Sequence, residues 1–566
     1  MTNLICGDAY IIQGQSNAVA TDPGAESPVF SNNWIRTYAA SGGWGNASQA
    51  ANAWQIGYWG ADQALKLLTD HNMPICIMNG AVGGTRIDQH QPNPADHAVA
   101  GSLYSIYADL HTRLVAAKLT HGIRGVLWHQ GEQDQGSGAP TGDYDYKSWQ
   151  QYFVDMSAAW KQDYPNILYY YVFQIWPRAC GDTSRNDLLR EVQRTLPYLY
   201  SNMRIMSTVG IVPGSSCHYV PAGYQKFSDL ISPFVQQDHY GVAPGGVITA
   251  PDVKKAYFTT AAHNEIALEF GQAMLWNNPT KALIYLDGVA NLVTSGSVAG
   301  NVIKLQLTAA SAAQKVTYLA GDFWDGNQAN LLKGTNNIAA LTFAEVPLGP
   351  PIPTALSATA GDSQVALNWS ASNGATGYNI KRAVTNGGPY TGIATAPGSS
   401  YTDTTATNGT LYYYVVSATI GTGESADSTQ ASAGPNSPYG TWASGQGLTA
   451  GANDGPLDDP DRDGICNLLE FTLGGAPMVS SQSILPKLTP SGGNWLFEYD
   501  RSDLSLSPTT TQVVEYGSDL AGWTPVTIPT TSAGSVTITP GSPSDHVTVS
   551  IPVLGAKVFV RLRVTK

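Results

Sequence analysis

Over the first 240 residues, short apolar runs alternate with stretches whose apolar positions recur at helical spacing. Tyr10–Gln13, Ile75–Asn79, Gly125–His129, Ile167–Phe173 and Arg204–Val209 are continuous enough to be strands buried on both faces. Ala61–Asp70, Tyr104–Lys118, Lys147–Lys161 and Arg185–Leu196 carry the period of amphipathic helices, and Ala222–Val235 adds a last one. This alternation predicts an α/β three-layer domain over residues 1–240, with a five-stranded parallel sheet between helices. In such a sheet the strand ends share one edge, where ligands bind and residues distant in sequence meet.

Beyond residue 240 the helical period fades and short alternating runs take over, such as Ala282–Leu286 and Val302–Leu307. All-β sandwich modules are expected there. Residues 241–348 read as a β-sandwich-like accessory domain, and the proline-dense Pro347–Pro353 as an extended linker. In 354–434, Val365, Leu367 and Trp369 mark one inward strand face, Tyr378 and Ile380 the next, and Leu411–Val416 a late strand. That pattern resembles a fibronectin type III domain, with Trp369 as core tryptophan and Tyr412 or Tyr414 as the late-strand tyrosine. Residues 436–480 read as a calcium-loop linker segment and 484–566 as a C-terminal β-module.

Composition narrows the setting. Apolar residues make up 43% of the 566, but charged residues only 13%. That is the texture of a secreted, β-rich protein. The net charge of −13 argues against nucleic acid and anionic membranes as partners, and no stretch is long and apolar enough to span a bilayer. The first strand begins close to Met1, so a secretory leader is expected to have been removed. Five cysteines are too few for a disulfide-built scaffold. Cys180 and Cys217 fall on strand-end loops where a bridge would fit, while Cys6 and Cys76 read as packing thiols beside buried strands. Tethered modules make a monomer the expectation.

The chemistry sits at the predicted strand ends. Gly14-Gln15-Ser16-Asn17 follows the first strand and Gly80-Ala81-Val82-Gly83-Gly84-Thr85 the second. Trp128-His129-Gln130-Gly131-Glu132-Gln133-Asp134 ends the third, and Cys217-His218-Tyr219 precedes the last helix. A glycine-flanked serine alone is usually only a turn. Four blocks in this order resemble the SGNH (GDSL-type) hydrolases, most closely the sialate-O-acetylesterase-like carbohydrate esterases. The resemblance implies Ser16 as nucleophile and His218 as general base. It implies an oxyanion hole from the Ser16 amide, a glycine amide (Gly84 preferred to Gly83) and the Gln130 side chain. His129 should point to the opposite face of its strand from Gln130 and is read as structural.

One departure stands out. The family's Asp-x-x-His becomes Ser215-Ser216-Cys217-His218. Either Ser215 or a backbone carbonyl holds the imidazole in a Ser–His dyad, or Glu132 or Asp134 from the neighbouring loop replaces the acid; Glu132 is favoured. Trp34, Tyr38, Trp44, Trp54, Tyr58 and Trp59 crowd one segment, and about half are expected in the core, the rest against sugar rings. Arg86 and Asp88 suit either substrate hydroxyls or a solvated loop.

A second motif lies far downstream. Asp459, Asp461, Asp463, Ile465, Asn467 and Glu470 occupy positions one, three, five, seven, nine and twelve of a D-x-D-x-D-G loop, with Gly464 at the sharp turn. The loop resembles dockerin-like and thrombospondin-type calcium loops, and the bland alternative is a solvated acidic turn. Together these readings give a secreted serine esterase that removes O-acetyl groups from polysaccharide or sialic-acid-type sugars through an acetyl-enzyme. No cofactor is expected for catalysis, and any calcium would be structural. Two alternatives stand: an esterase for aryl, lipid or polyester substrates, and a non-catalytic glycan-binding protein, which the missing aspartate favours.

Overall fold

The computed structural model describes residues 7–21, 32–100, 105–134, 146–177, 186–211, 217–320, 327–506, 510–553, 555 and 557–566. Cys6, Cys180 and Ser215 lie outside them. The apolar runs pair as the pattern predicts. Strand β1 (Asp8–Gly14) lies centrally, parallel to β4 (Ile75–Asn79) and β5 (Ile123–His129), with Ile12 opposite Asn79 and Gly14 opposite His129. With β2 (Ile35–Tyr38), β3 (Trp44–Asn46), β6 (Tyr169–Gln174) and β7 (Met203–Ser207), the order is β3-β2-β4-β1-β5-β6-β7.

The sheet therefore has seven strands instead of the expected five. The additions are at one edge: β2 joins β4 in parallel, and β3 joins β2 antiparallel. Both are short. The three residues of β3 include Gly45 and bury little, so no apolar alternation announces them.

Alternate side chains of β1 serve two layers. Tyr10 and Ile12 pack with α2 (Tyr58–His71) and α6 (Pro221–Tyr240). Ala9 and Ile11 face α3 (Ser105–Ala116), α4 (Tyr146–Asp163) and α5 (Asn186–Thr195). At the strand's end Gly14 adopts φ +134°, and a Cβ there would come within 2.0 Å of the His129 carbonyl oxygen. That space lets Gln15 N donate to the same carbonyl at 3.0 Å and turns the chain into the short helix α1 (Ser16–Val19).

Residues 241–348 do not stand apart: Met1–Ile352 fall within one compact unit. Their main sheet also has seven strands, in the order Ile284–Leu286, Lys315–Tyr318, Phe343–Gly349, Val253–Phe258, Glu265–Phe270, Val302–Leu307, Val293–Ala299. Residues 347–349, expected in a linker, complete one of these strands, and Leu348 is buried in its core. The join to the first domain packs Val209 and Trp176 into the accessory core and adds polar contacts. Gln174 donates to Thr342 O at 2.9 Å and accepts from Thr342 N at 2.8 Å, and Arg190 donates to Leu319 O at 2.9 Å. Glu191 accepts from Ala344 N at 3.0 Å, and Arg194 donates to Asp252 at 2.6 Å.

In the second unit Val365, Leu367 and Trp369 are buried as expected, and the Trp369 ring meets Tyr378 edge-on at 5.3 Å. Tyr414, fully buried, donates to Asp403 at 2.9 Å. Further on, helices α7 (Pro438–Gly445) and α8 (Asn467–Leu473) precede a four-stranded and a three-stranded sheet. No helix among the described residues is long and apolar enough to cross a membrane.

Gly14→Ala should destabilise the first unit by roughly 2–3 kcal/mol or more, because the methyl group meets backbone and the φ is strained. Thermal melting monitored by the near-ultraviolet signal of its buried tryptophans would show this as a lower first transition.

Candidate active site

The strand-end blocks converge around the turn after β1. Ser16, half-buried, opens α1. The second block is tied to this turn by Val82 N donating to Gly14 O at 3.0 Å. Gly83 borders the serine, since a Cβ on it would lie 3.8 Å from Ser16 Cβ, and the next residue, Gly84, takes φ +68° with open space around it. A side chain at Gly83 would narrow the approach to Ser16.

Asn17 joins the remaining blocks. Its Nδ2 donates to Glu132 Oε1 at 2.8 Å and to the Cys217 carbonyl at 3.0 Å. Its Oδ1 accepts from the Tyr224 hydroxyl at 3.0 Å, and its main-chain carbonyl accepts from Trp59 Nε1 at 2.9 Å. The residue after the serine thus holds both Glu132 and the carbonyl preceding His218. The histidine loop is anchored from its other side by Tyr219, buried against Phe227 at 4.9 Å between ring centroids. Pro221 then opens α6.

Glu132 is buried. His129 Nδ1 lies 3.4 Å from its Oε1, but burial holds this imidazole below its usual range, so the contact is with a neutral ring. His129 packs between Phe173 and Phe227, on the α6 side of the sheet, a structural place as expected.

Gln130 corrects the sequence reading. It is fully buried on the α4 side, where its Oε1 accepts from Trp149 Nε1 at 2.8 Å. Its Nε2 donates to Thr85 O at 3.1 Å, to Asp134 and, more distantly, to Gln15 Oε1 at 3.4 Å. An amide has two hydrogens; with these acceptors in place the Gln130 side chain is a brace for the second block, not a free oxyanion donor. Asp134 carries the brace onward by accepting from Ile87 N at 3.2 Å. Gln15, which sequence reasoning misses, completes it: its Oε1 accepts from Gly131 N and Gln133 N, both at 3.2 Å. Asn17 escapes it equally, although both sit inside the Gly14–Asn17 block.

The aromatic segment divides. Tyr58 and Trp59 are core residues; Trp34, Trp44 and Trp54 are exposed. Trp44 pairs with Tyr38 at the C-terminal end of β2, the sheet edge that also carries Ser16. Trp54 lies against Gly45, where a Cβ would come within 2.2 Å of its Nε1. Arg86 and Asp88 pair with each other at 2.9 Å. Cys217 is disulfide-bonded, and Cys76 and Cys466 are free. In the distant acidic loop the structure gathers Asp459, Asp461 and Asp463, and buries Ile465, Asn467 and Glu470 beside them.

The chain was compared with known proteins. Residues 7–227 match the family described as carbohydrate esterase, sialic acid-specific acetylesterase. The N-terminal domain thus resembles a carbohydrate esterase domain, and β-sheet modules follow it. A carbohydrate acetylesterase from Xanthomonas citri is similar over 60% of this chain and 80% of its own, at 18% identity and TM-score 0.45. An Fn3-like protein from Clostridium thermocellum is 44% identical, covering 15% of this chain and 91% of its own, at TM-score 0.14. An amylopullulanase from Thermoanaerobacterium saccharolyticum is 47% identical over 70 residues, 12% of this chain. The chain spans 6% of that relative's length.

Asn17→Ala would take a donor from the buried Glu132 carboxylate and the acceptor from the Tyr224 hydroxyl. A loss of about 2–4 kcal/mol is expected, read as a lower midpoint for the first unit. Asn17→Asp should cost at least as much, since it sets a second carboxylate against Glu132.

Proposed function

We propose that the first domain is a serine esterase that removes acetyl groups from an O-acetylated glycan outside the cell. The observation that carries this reading is the Asn17 side chain, which draws the serine turn, Glu132 and the backbone before His218 together within a region matching a carbohydrate esterase family. Ser16 Oγ attacks the acetyl carbonyl as His218 takes its proton. The oxyanion is held by main-chain amides of Ser16 and Gly84. His218 then protonates the departing sugar oxygen, leaving acetyl-Ser16. Water, losing its proton to His218, attacks this ester; the Ser16–acyl bond breaks, Ser16 Oγ takes that proton back from His218, and acetic acid leaves, ionising to acetate in water.

Glu132 is assigned the acid's role. Its position on Asn17, next to the carbonyl preceding His218, supports an electrostatic hold on the imidazolium that forms during attack. For the substrate class, the exposed Trp44 and Trp54 on the sheet edge favour sugar rings, whose C–H faces stack on indoles, over long acyl chains.

Acetate release from acetylated xylan, pectin, mannan and O-acetyl sialic acid, by wild type and Ser16→Ala side by side, tests the reading. Release from one glycan that disappears in Ser16→Ala is expected. Ser16-dependent cleavage of aryl acetates alone would move the substrate out of the carbohydrates. Glu132→Gln should lower kcat by up to roughly 10⁴-fold if it supports the imidazole; a change below about tenfold would instead indicate a dyad. Trp44→Ala and Trp54→Ala should raise KM for the acetylated polymer while leaving kcat/KM for an aryl acetate within about twofold.

A further inference from the structure

Outside the esterase site, the acidic loop holds a buried carboxylate that no cation of the protein pairs with among the described residues. Glu470, in the first turn of α8, is 0% exposed, and neither of its oxygens accepts a hydrogen bond. A buried, unpaired carboxylate is costly. Near it three aspartates gather, each offering an oxygen within 4.8 Å of the others. Two ligands of one calcium ion, each about 2.3–2.6 Å from it, can be at most about 5 Å apart.

The backbone is wound for this purpose. Asp463 N donates to Asp459 at 3.2 Å and to Asp461 at 3.1 Å, and Gly464 N donates to Asp459 at 2.9 Å. Gly464 makes the turn at φ +89°. At position nine Asn467 braces the loop, donating to the Asn453 and Gly455 carbonyls at 2.9 Å each.

The loop is also tied to the chain downstream. Ser481 N donates to Asp463 Oδ2 at 2.6 Å, and the Gln482 amide donates to the Asp463 carbonyl. Leu473, at the end of α8, belongs to the core of the terminal sheets with Phe497, Tyr499 and Val547. Leu468 and Phe471 pack with Tyr439 and Trp442 of α7, against Val564 in the last strand. Residues 436–480 and 484–566, separate in the sequence reading, thus share their packing through α8.

We propose that Asp459, Asp461, Asp463 and Glu470, with the Ile465 carbonyl, bind one calcium ion, and that this ion fastens residues 436–566 into a single folding unit. With Glu470 bidentate these groups supply about six oxygens, leaving room for a water in calcium's coordination range of six to eight; magnesium's strict octahedron suits the set poorly. The ion would neutralise Glu470 and hold the start of α8 against the aspartate turn, fixing the angle at which Leu473 and Phe471 enter their two clusters.

The full chain, stripped with chelator, would be titrated with calcium by calorimetry and digested with trypsin with and without the ion. One site per chain is expected, together with calcium-dependent protection at Arg462 and Lys487. Glu470→Gln should weaken binding by roughly 100-fold or more and abolish the protection. Should that variant fail to fold, the half-buried Asp461→Asn serves as a second probe, with weakened binding expected. Absence of binding heat, or digestion of the wild type unchanged by calcium, would overturn the proposal. So would equal protection by magnesium at the same concentration.

Discussion

A planar carboxamide offers donors at one end and an acceptor at the other, and Asn17 uses both. With Oδ1 held by the Tyr224 hydroxyl, the orientation of Nδ2 toward Glu132 and Cys217 O follows from the geometry of the group itself. Three chain segments far apart in sequence are thereby fixed relative to one another by one side chain. Tyr224 belongs to α6, so the helix that covers the sheet also sets the rotation of the amide. Ser16 inherits this rigidity through its peptide bond to Asn17. Preorganisation of this kind lets a site act without reorganising during reaction.

Much of this architecture is legible in the chain. The five long apolar runs and the helical periods between them appear as β1, β4, β5, β6, β7 and their helices, with ends shifted by a few residues. Continuous burial on both faces leaves a strong signal in sequence. The short edge strands β2 and β3 leave almost none. The polar side of α5 misleads in a more instructive way. Arg190, Glu191 and Arg194 have the periodicity of a solvated face, yet they meet main-chain groups and Asp252 of the accessory sheet. Charge pattern records that a residue needs polar partners, not whether water supplies them.

The same limit applies at the site. Block order places Ser16, the glycine pair and His218 around one sheet edge, but residue type alone assigns Gln130 to the wrong task. Its direction depends on Trp149, nineteen residues on, and on Asp134, whose roles only the fold reveals. Two buried glutamates make a related contrast. Glu132 accepts from the Asn17 amide, whereas neither Glu470 oxygen accepts a well-formed hydrogen bond. Sequence spacing points to the second more clearly than to the first, because a metal loop is written locally while a side-chain bridge is not.

The paired hydrogen bonds between Gln174 and Thr342 bear on how such a protein can be inherited. They extend strand β6 of the esterase sheet into main-chain recognition of the neighbouring sheet, while Arg190 and Ser207 grip the same neighbour at Leu319 and Ala340. A gene exchange with its breakpoint near residue 240 would separate these partners and leave buried donors facing nothing. A piece that keeps both sheets with their partners must therefore run on past residue 240 at least to Ile352.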